Sequence, residues 1–444
     1  MKYRYALFLV CVCTMMSATE DPFPGADGLL PQHQHRTATA AGYTLAEVEQ
    51  VALASNPEIR VASRRLAVAQ AKAPVAGARE DPSFAYRGWG TPVSRPWDYN
   101  AAQNMFMVNQ NFAGLGKRKL RSEIAQTEVV EARAALEGTK LKVQIEVRKA
   151  FYDLLRTRDE LLVHDEHIGI ARQAVEAARI KYTTGKVPQQ DILKAQVELT
   201  RLAEHLVHFD EDAELARTQL NTLLGRDPAA PLEVRGDYAV MSGLPDMETL
   251  KKMALESRPD LAQAQAAVQK SLQEKDLTQK AYSPDFSLAA GYMLMPNDTT
   301  RRNRYMVEAA VNLPWLNRGK HEAEIAEAAA ESSEQQAELA ALRSVAFGQI
   351  QEALTRARAA ARLATIYQRQ LRPQAEATLR STVIAYESDR TDFLNLLDSQ
   401  TSVVDIDLAY FQAVADFESR FADLELAVGT PLERMAPASG EVTR

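Results

Sequence analysis

The sequence predicts a mixed α and β fold in which short strands alternate with very long antiparallel helices. Three observations support this prediction. The 444-residue chain contains an internal duplication. Four stretches alternate apolar and polar residues with the period of a strand. The remaining segments are rich in alanine, glutamate, glutamine and arginine, which favour helices.

The two ends of the chain are predicted to lie outside the folded part. Lys2 and Arg4 precede a short apolar stretch and small residues, so residues 1–18 read as a secretory signal peptide. Both cysteines of the sequence lie in this signal, and no disulfide is expected after its removal. Residues 19–43 and 433–444 are polar and contain proline or glycine. We expect an extended N-terminal segment and a flexible tail.

The region between these ends consists of two copies of one unit, at 44–228 and 246–432, joined by a linker at 229–245. The Asn-Pro-Glu-Ile motif around Pro57 recurs 202 residues later as Arg-Pro-Asp-Leu around Pro259. Further landmarks recur in the same order at nearly the same spacing. Each unit is predicted to form a helix interrupted near its start, two strands, and a helical hairpin.

The hairpin helices are unusually long. No proline occurs from Lys117 to Tyr182, and a helix of that length would extend about 99 Å. The next helix has apolar residues at alternating spacings of three and four, the pattern of a coiled coil: Ile192, Ala195, Leu199, Leu202, Leu206, Phe209, Ala213, Ala216, Leu220 and Leu223. Eight of the ten matching positions from Leu396 to Ala427 are apolar too. By themselves these helices fit a soluble periplasmic coiled-coil adaptor or scaffold protein equally well.

The four strand-like stretches each have one apolar face. Their apolar residues include Phe84, Tyr86, Phe106, Val108, Phe286, Leu288, Tyr292, Tyr305 and Val307. Each stretch has about a dozen residues, enough to cross a bilayer when tilted. After the signal there is no apolar run of about 18 residues, so we expect any contact with outer-membrane lipid to be made by strands.

Four strands per chain make oligomerisation part of the prediction. A sheet with open edges leaves backbone groups unsatisfied in lipid, and the smallest membrane barrels have about eight strands. Two, three or four copies would supply 8, 12 or 16 strands, and the strand count does not choose among them. The alternative is a soluble sheet packed on the helices.

Charge and motifs exclude other functions. The formal net charge of −7 argues against nucleic-acid binding, which needs a basic face. We find no nucleophile motif, no glycine-rich phosphate loop and no paired catalytic carboxylates, so neither an enzyme nor a bound cofactor is expected.

Several motifs together resemble the TolC family of outer-membrane efflux channels, over the chain from Tyr43 to Leu432. They are the duplicated Asn-Pro and Arg-Pro openings, Gly114-Leu115-Gly116-Lys117-Arg118, Trp315-Leu316-Asn317-Arg318-Gly319-Lys320, and Tyr182-x-x-Gly185 followed by Asp191-Ile192-Leu193-x-Ala195-Gln196. The resemblance implies a homotrimer whose four transmembrane strands per chain form one twelve-stranded barrel, with a helical tunnel through the periplasm.

The resemblance also implies partners and a mechanism. An inner-membrane pump would supply the energy, and a periplasmic adaptor would dock on the turns of the two hairpins. Within those turns we expect the adaptor to contact Gly185, Lys186, Ser388 and Asp389. The chain itself would form a passive, gated conduit.

In the TolC family, polar links between neighbouring helices close the periplasmic end. The positions that match these links are Asp191, Tyr386 and Asp398. Two positions depart from the family pattern: Asn395 stands where a pore aspartate is common, and Thr391 where an arginine latch is found, with Arg390 one residue away. We expect a carboxylate-lined pore that favours cations. Solvated turn residues are the alternative.

Two further sets of residues have ligand character. His164 and His167 should lie level with His205 and His208 across the first hairpin, where imidazoles could bind Zn²⁺ or Cu²⁺, although surface histidines are the simpler interpretation. Thioethers on the lumen face could bind Cu(I) or Ag(I), or could only fill gaps; they belong to Met105, Met107, Met293 and Met306. With His33 and His35, they favour heavy-metal efflux over drug or protein export.

Overall fold

A computed structural model describes residues 42–185, 187–238, 243–296, 298, 300, 302–388 and 390–432. The predicted signal peptide, nearly all of the N-terminal segment and the predicted tail lie outside the described residues. So do two of the predicted adaptor contacts, Lys186 and Asp389.

The two halves of the chain repeat one order of elements. The first half contains α1 (Leu45–Ser55), α2 (Pro57–Ala76), β1 (Ser83–Trp89), β2 (Gln103–Phe112), α3 (Lys117–Thr183) and α4 (Gln189–Leu223). The second half contains α5 (Met247–Ser257), α6 (Pro259–Gln279), β3 (Phe286–Leu294), β4 (Asn303–Val311), α7 (Arg318–Ile366), α8 (Arg372–Glu387) and α9 (Phe393–Val428).

Each half opens on a helix that its N-terminal residues specify. Thr44 and Glu47 form a reciprocal capping box at the start of α1, and the Asp246 side chain caps α5. The prolines end these first helices because they lack an N–H and disfavour helical geometry in the residue before them. Both Pro57 and Pro259 then occupy the first position of the next helix, where no N–H is needed.

In each half, a hydrogen bond connects the break between the first two helices to the C-terminal end of the last helix. The Asn56 amide donates to the carbonyl of Leu223 at 2.8 Å, and the Arg258 guanidinium donates to the carbonyl of Ala427 at 2.7 Å. Just beyond, a glycine with positive φ ends the last helix of the second half, and a Cβ on this Gly429 would lie 2.6 Å from the Arg258 Cα. Only glycine fits that close approach.

Helix α3 is the central element, since it packs against α2, α4, α6 and α9. The coiled-coil prediction for α4 is confirmed: its buried residues are Ala195, Leu199, Leu202, Leu206, Ala213, Ala216, Leu220 and Asn221. These side chains meet α3 residues such as Ile168, Ala171 and Leu154. No helix in the described part of the chain combines the length and the apolar character needed to cross a bilayer.

The second half departs from the prediction of one long helix before its hairpin turn. A single π-helical turn, Tyr367–Leu371, separates α7 from α8. Pro373 lies in the first turn of α8 and cannot donate the hydrogen bond that a continuous α-helix needs. The chain accommodates the missing donor by widening one turn.

The four strands form one antiparallel sheet in the order β1-β2-β3-β4. Strands β2 and β3 come from different halves of the chain, so the sheet joins the two repeats. The strands contain seven to ten residues, shorter than the dozen expected. Residues such as Asn312 and Leu313 continue the alternation in the sequence but lie outside the ladder, so the pattern overestimated strand length.

A partly buried ion pair connects the sheet to the helices. The Lys117 ammonium at the start of α3 lies 2.9 Å from both carboxylate oxygens of Asp285, directly before β3. The backbone N–H of Gly114 donates to the same carboxylate at 2.5 Å. A Cβ on Gly114 would lie 2.8–2.9 Å from atoms of Ser283 and Pro284, so this close junction needs glycine.

Candidate functional site

One face of the sheet is a continuous apolar surface. The strand register places Tyr86, Phe106, Tyr292 and Tyr305 in one row across all four strands. The neighbouring row contains Phe84, Val108, Ala290 and Val307. Much of this surface is open, since Tyr305 is 88% exposed and Val307 73% exposed. Exposed aromatic surface of this extent marks a face that meets lipid or a partner.

The opposite face of the sheet has a different chemistry. One row contains Ser83, Asn109, Ala289 and Glu308, the next Ala85, Met107, Gly291 and Met306, and the third Arg87, Met105, Met293 and Arg304. The four methionines predicted to share this face therefore do so. Polar and charged side chains surround them, as expected for a face that meets water.

The end of the first hairpin is an exposed turn. Helix α3 ends at Thr183, and Gly185 follows in a left-handed conformation with a φ of 69°. A Cβ on Gly185 would have nothing within 4 Å, so there is space for a side chain at this position. Glycine is favoured because of the left-handed backbone conformation. Helix α4 then begins after Pro188. The turn thus presents backbone and small side chains to its surroundings.

At the end of the second hairpin, side-chain hydrogen bonds cap the N-terminus of α9. The carboxylate of Asp392 accepts a hydrogen bond from the backbone N–H of Asn395 at 3.0 Å and starts α9. The Asn395 amide donates to the Thr391 hydroxyl at 3.1 Å. The Ser388 hydroxyl donates back to the Ile384 carbonyl at 2.8 Å. Asn395 and Thr391, the two residues that depart from the TolC pattern, therefore bind each other.

Tyr386 connects the two hairpins within one chain. The Lys181 ammonium of α3 lies over its ring, 3.5 Å from the ring centroid. The centroids of the Tyr386 and Phe393 rings are 6.0 Å apart. A cation over an aromatic face is attracted by the ring quadrupole. The Tyr386 hydroxyl is buried but has no hydrogen-bond partner among the described residues. Its ring therefore has contacts within the chain, whereas its hydroxyl has no hydrogen bond to the described residues.

Three other predicted gate residues lie on the same hairpin ends as Tyr386. Asp191 is half-buried in the first turn of α4, and Asp398 and Arg390 are exposed on the second hairpin. None of these three side chains forms a hydrogen bond or ion pair with a side chain that the structure describes. One chain therefore brings the candidate gate residues to the same end of the molecule, where Tyr386 contacts the other hairpin and Asn395 binds Thr391.

The histidines of the first hairpin are partly as predicted. His164 and His205 lie level across α3 and α4, with ring centroids 5.6 Å apart. The interpretation as surface histidines is wrong for His164 and His167, which are buried. His208 faces away, 66% exposed, beside Glu204. Within the described ranges, no group of three or more histidine, cysteine, aspartate or glutamate residues is arranged to hold a metal ion.

Burial controls the charge of His164. Its ring is fully buried and packs edge-on against Phe209. Removal from water, together with the nearby His205 and His167, lowers the pKa of His164 to about 4. Burial lowers the pKa of His167 as well. Both imidazoles are neutral at neutral pH and act as core residues of the hairpin.

A family model decides the identity of the chain. The model described as "Outer membrane efflux protein" matches residues 48–226 and again residues 250–430. The chain belongs to the outer membrane efflux protein family. The interpretation as a soluble adaptor or scaffold is therefore wrong, and the protein is a channel subunit for efflux in the outer membrane.

Individual relatives agree with the family assignment. The cobalt-zinc-cadmium resistance protein CzcC of Cupriavidus metallidurans is 24% identical over 299 residues, covering 66% of this chain and 69% of CzcC. The solved outer-membrane channel OprN superposes with a TM-score of 0.73 at 18% identity, covering 87% of this chain and 90% of OprN. VceC of Vibrio cholerae gives 0.71 at 20% identity, covering 88% and 97%. The fold is that of the TolC-like channels.

Two residues of the hairpin ends were missed from the sequence. Asp392 caps α9, and an aspartate directly before an apolar helical segment is a recognisable signal for this role. Lys181 covers the Tyr386 ring, and no local signal predicts it because the two residues are brought together only by the packing of one hairpin against the other. The outer membrane efflux protein thus builds its candidate gate from both repeats.

Proposed function

We propose that three copies of this chain form one closed channel, with a twelve-stranded barrel in the outer membrane and a helical tunnel through the periplasm. The observation that carries the proposal is the sheet. Its apolar face is exposed, and β1 and β4 are edge strands with no further partner in the described chain. In lipid an open edge costs several kcal/mol for each unsatisfied backbone group, so pairing of β1 with β4 of the next copy is strongly favoured.

The number of copies rests on the family. Four strands per chain close a barrel with two, three or four copies, and the outer membrane efflux family supports three. Each chain would contribute two repeats, 44–228 and 246–432, around the linker at 229–245. This arrangement places the thioether and charged face of the sheet inside the barrel and the aromatic face against lipid.

The hairpin ends would form the periplasmic gate. In a trimer Asp191, Asp398, Asn395 and Arg390 would lie around the pore, with the buried and unpartnered Tyr386 hydroxyl beside them. Carboxylates in a narrow pore repel one another and favour cations. Polar links between neighbouring helices at these positions would hold the end closed without any catalytic chemistry.

Adaptor contact would use the exposed turns beside the gate. The turns present Gly185 and Ser388, with Lys186 and Asp389 next to them in sequence. An inner-membrane pump would supply the energy and this chain a passive path, with no resident cofactor. The similarity to a cobalt-zinc-cadmium resistance protein supports heavy-metal cations as the exported substrate.

Two adjacent alanines on β4 test the barrel. Ala309 lies on the apolar face and Ala310 on the opposite face, and both are exposed. Arginine on a lipid face costs from about 1 kcal/mol near the interfaces to about 4 kcal/mol at the bilayer midplane, whereas a lumen face tolerates it. We expect Ala309→Arg to reduce heat-resistant trimers in outer-membrane extracts and Ala310→Arg to leave them at the wild-type level.

Native mass spectrometry of the detergent-extracted wild-type chain should show three copies. The proposal fails if the wild-type protein is a monomer in outer-membrane extracts, or if the two arginine variants lose trimers equally.

A further inference from the structure

Methionines are segregated on the sheet. Four lie in the strands, at Met105, Met107, Met293 and Met306, and all four share the face opposite to the aromatic surface. The apolar face contains phenylalanine, tyrosine, valine, leucine and alanine but no methionine in the described strands. On the methionine face, the only other apolar side chain larger than alanine is Trp89.

The strand register brings the four thioethers together. Met105 pairs directly with Met293 on the adjacent strand. Met107 and Met306 both pair with Gly291, one from each side. Because neighbouring strands are about 4.8 Å apart and alternate residues of a strand about 7 Å apart, the four Cα atoms lie within a patch about 12 Å across.

Gly291 lies between Met107 and Met306 and has no side chain to separate them. A Cβ at Gly291 would lie 2.9 Å from the Met107 Cγ, so the Met107 side chain extends over the glycine toward β4. On β4, Met306 is the next residue of the same row. A side chain at position 291 would separate the two thioethers, and glycine therefore permits their approach.

The surroundings of the patch argue against simple gap filling. Arg87 and Arg304 flank the Met105–Met293 pair, and Asn109 and Glu308 lie one row away from the other pair. A face that only needed apolar volume could use leucine or valine, as the opposite face does. Methionine differs from these in its polarizable sulfur, which is a ligand for soft metal ions.

The same surroundings select the kind of ion. Thioethers are neutral and give little to hard cations, which prefer oxygen ligands. Nearby guanidinium groups repel divalent cations about twice as strongly as monovalent ones, because the Coulomb energy scales with charge. The patch therefore favours a soft monovalent ion, Ag(I) or Cu(I), which can gain covalent bonding from two or more sulfurs.

We propose that Met105, Met107, Met293 and Met306 form a thioether site for soft monovalent cations on the inner wall of the channel. The inner position rests on the proposed function, whereas the binding chemistry rests on the sheet of a single chain. Weak bonds to several neutral sulfurs would hold such an ion briefly and pass it on, as conduction requires.

Calorimetric titration of the purified full-length protein with silver nitrate in chloride-free buffer tests the proposal. Replacing methionine by leucine removes the sulfur and nearly conserves volume. We expect the wild-type protein to bind Ag(I), and Met107→Leu/Met306→Leu to weaken that binding by on the order of 100-fold. A loss of this size is at the upper end of what changing residues that only support metal ligands costs in affinity. Zn²⁺ should not bind at this patch.

A matched double variant, Met247→Leu/Met253→Leu, changes two methionines on α5 far along the chain from the sheet, and should bind Ag(I) as wild type does. Equal Ag(I) binding by wild type and Met107→Leu/Met306→Leu, or none by wild type, overturns the proposal.

Native mass spectrometry of the same samples separates the two proposals. Trimers without sulfur-dependent Ag(I) binding reject the thioether site alone. Monomers reject the channel assembly, and the titration still reports whether the sheet of one chain binds the ion.

Discussion

The two helical hairpins repeat one topology with different interiors. In α4, seven of the ten predicted coiled-coil positions are buried: Ala195, Leu199, Leu202, Leu206, Ala213, Ala216 and Leu220. In α9, four of the ten matching positions are buried: Val403, Phe417, Leu424 and Ala427. The first hairpin therefore keeps its predicted seam buried along its length, whereas α9 buries a different set of apolar residues, which includes Val404, Val414, Ala415, Phe421 and Ala422.

Polar contacts accompany the apolar packing of the second hairpin. The Thr382 and Ser399 hydroxyls lie 3.1 Å apart across α8 and α9. The Arg372 guanidinium donates to Asp407 at 2.6 Å and lies over the Tyr410 ring. Partly exposed polar pairs contribute little net stability each and can exchange partners with water.

The second hairpin is also segmented, by the π-helical turn that precedes α8. Such turns are places where a helix bends. The comparison teaches that the topology of the two repeats is the same while their interiors differ, one with a regular apolar seam and one with additional polar contacts and a π-helical turn. Four of the five candidate gate residues, Tyr386, Arg390, Asn395 and Asp398, lie on the second hairpin, and Asp191 lies on the first.

The largest expected effect concerns the buried histidine of the first hairpin. The pKa of His164 is about 4 in the folded chain against an ordinary value of 6.5, so the unfolded chain binds a proton that the folded chain does not. Stability should therefore fall as pH drops from 6.5 toward 4, by about 3 kcal/mol per chain. We expect His164→Leu to remove most of this loss, measured by thermal unfolding with far-ultraviolet circular dichroism at both ends of that range.

His208→Leu is the matched control, because His208 is on the same hairpin but exposed, and it should retain the wild-type pH dependence. The His164→Leu variant could instead lose as much stability at low pH as the wild-type protein does. In that case the stability of the first hairpin does not depend on a neutral buried imidazole.

A smaller effect is expected where the two repeats use different residues for one joint. Arg258 donates to Ala427, Asp260 and Gln349, whereas Asn56 donates only to Leu223 through its amide and caps α2. We expect Arg258→Ala to cost about 2–3 kcal/mol, since it removes the charged partner of Asp260 and the hydrogen bond to the buried Ala427 carbonyl, and Asn56→Ala about 1 kcal/mol.

Chemical denaturation of the two variants side by side measures the difference. Arg258→Lys keeps the charge but not the planar fork, and should fall between wild type and Arg258→Ala. Equal losses for Asn56→Ala and Arg258→Ala would show that the two joints are energetically equivalent despite their different contacts.

Much of the fold follows from the sequence because its signals are local and periodic. The spacing of Leu199, Leu202 and Leu206 gives the seam of α4, and the alternation from Phe286 to Leu294 gives a strand and its two faces. Pairing of β2 with β3 could not be predicted, since those strands come from different repeats. The π-helical turn had a signal in Pro373, but proline alone does not distinguish a widened turn from a kink.

The candidate site was less predictable than the fold. Family motifs located Tyr386, but its contact with Lys181 depends on how two hairpins pack, which no spacing along the chain encodes. Likewise, the spacing of the histidines placed His164 level with His208 and His167 level with His205, whereas the rings that meet are those of His164 and His205, and the interpretation as surface histidines was wrong for His164 and His167. Burial of a polar side chain is decided by every element around it, and α3 has neighbours on several sides.

Single-channel recording in planar bilayers tests the central claim, a passive channel closed at its hairpin ends. Tyr386→Phe removes the unpartnered hydroxyl but keeps the ring under Lys181. Combined with Asp191→Ala, it should increase conductance, while Tyr182→Phe at the matching position of the first hairpin should leave conductance unchanged. The account is contradicted if the wild-type and double-variant proteins conduct identically, or if neither forms a pore.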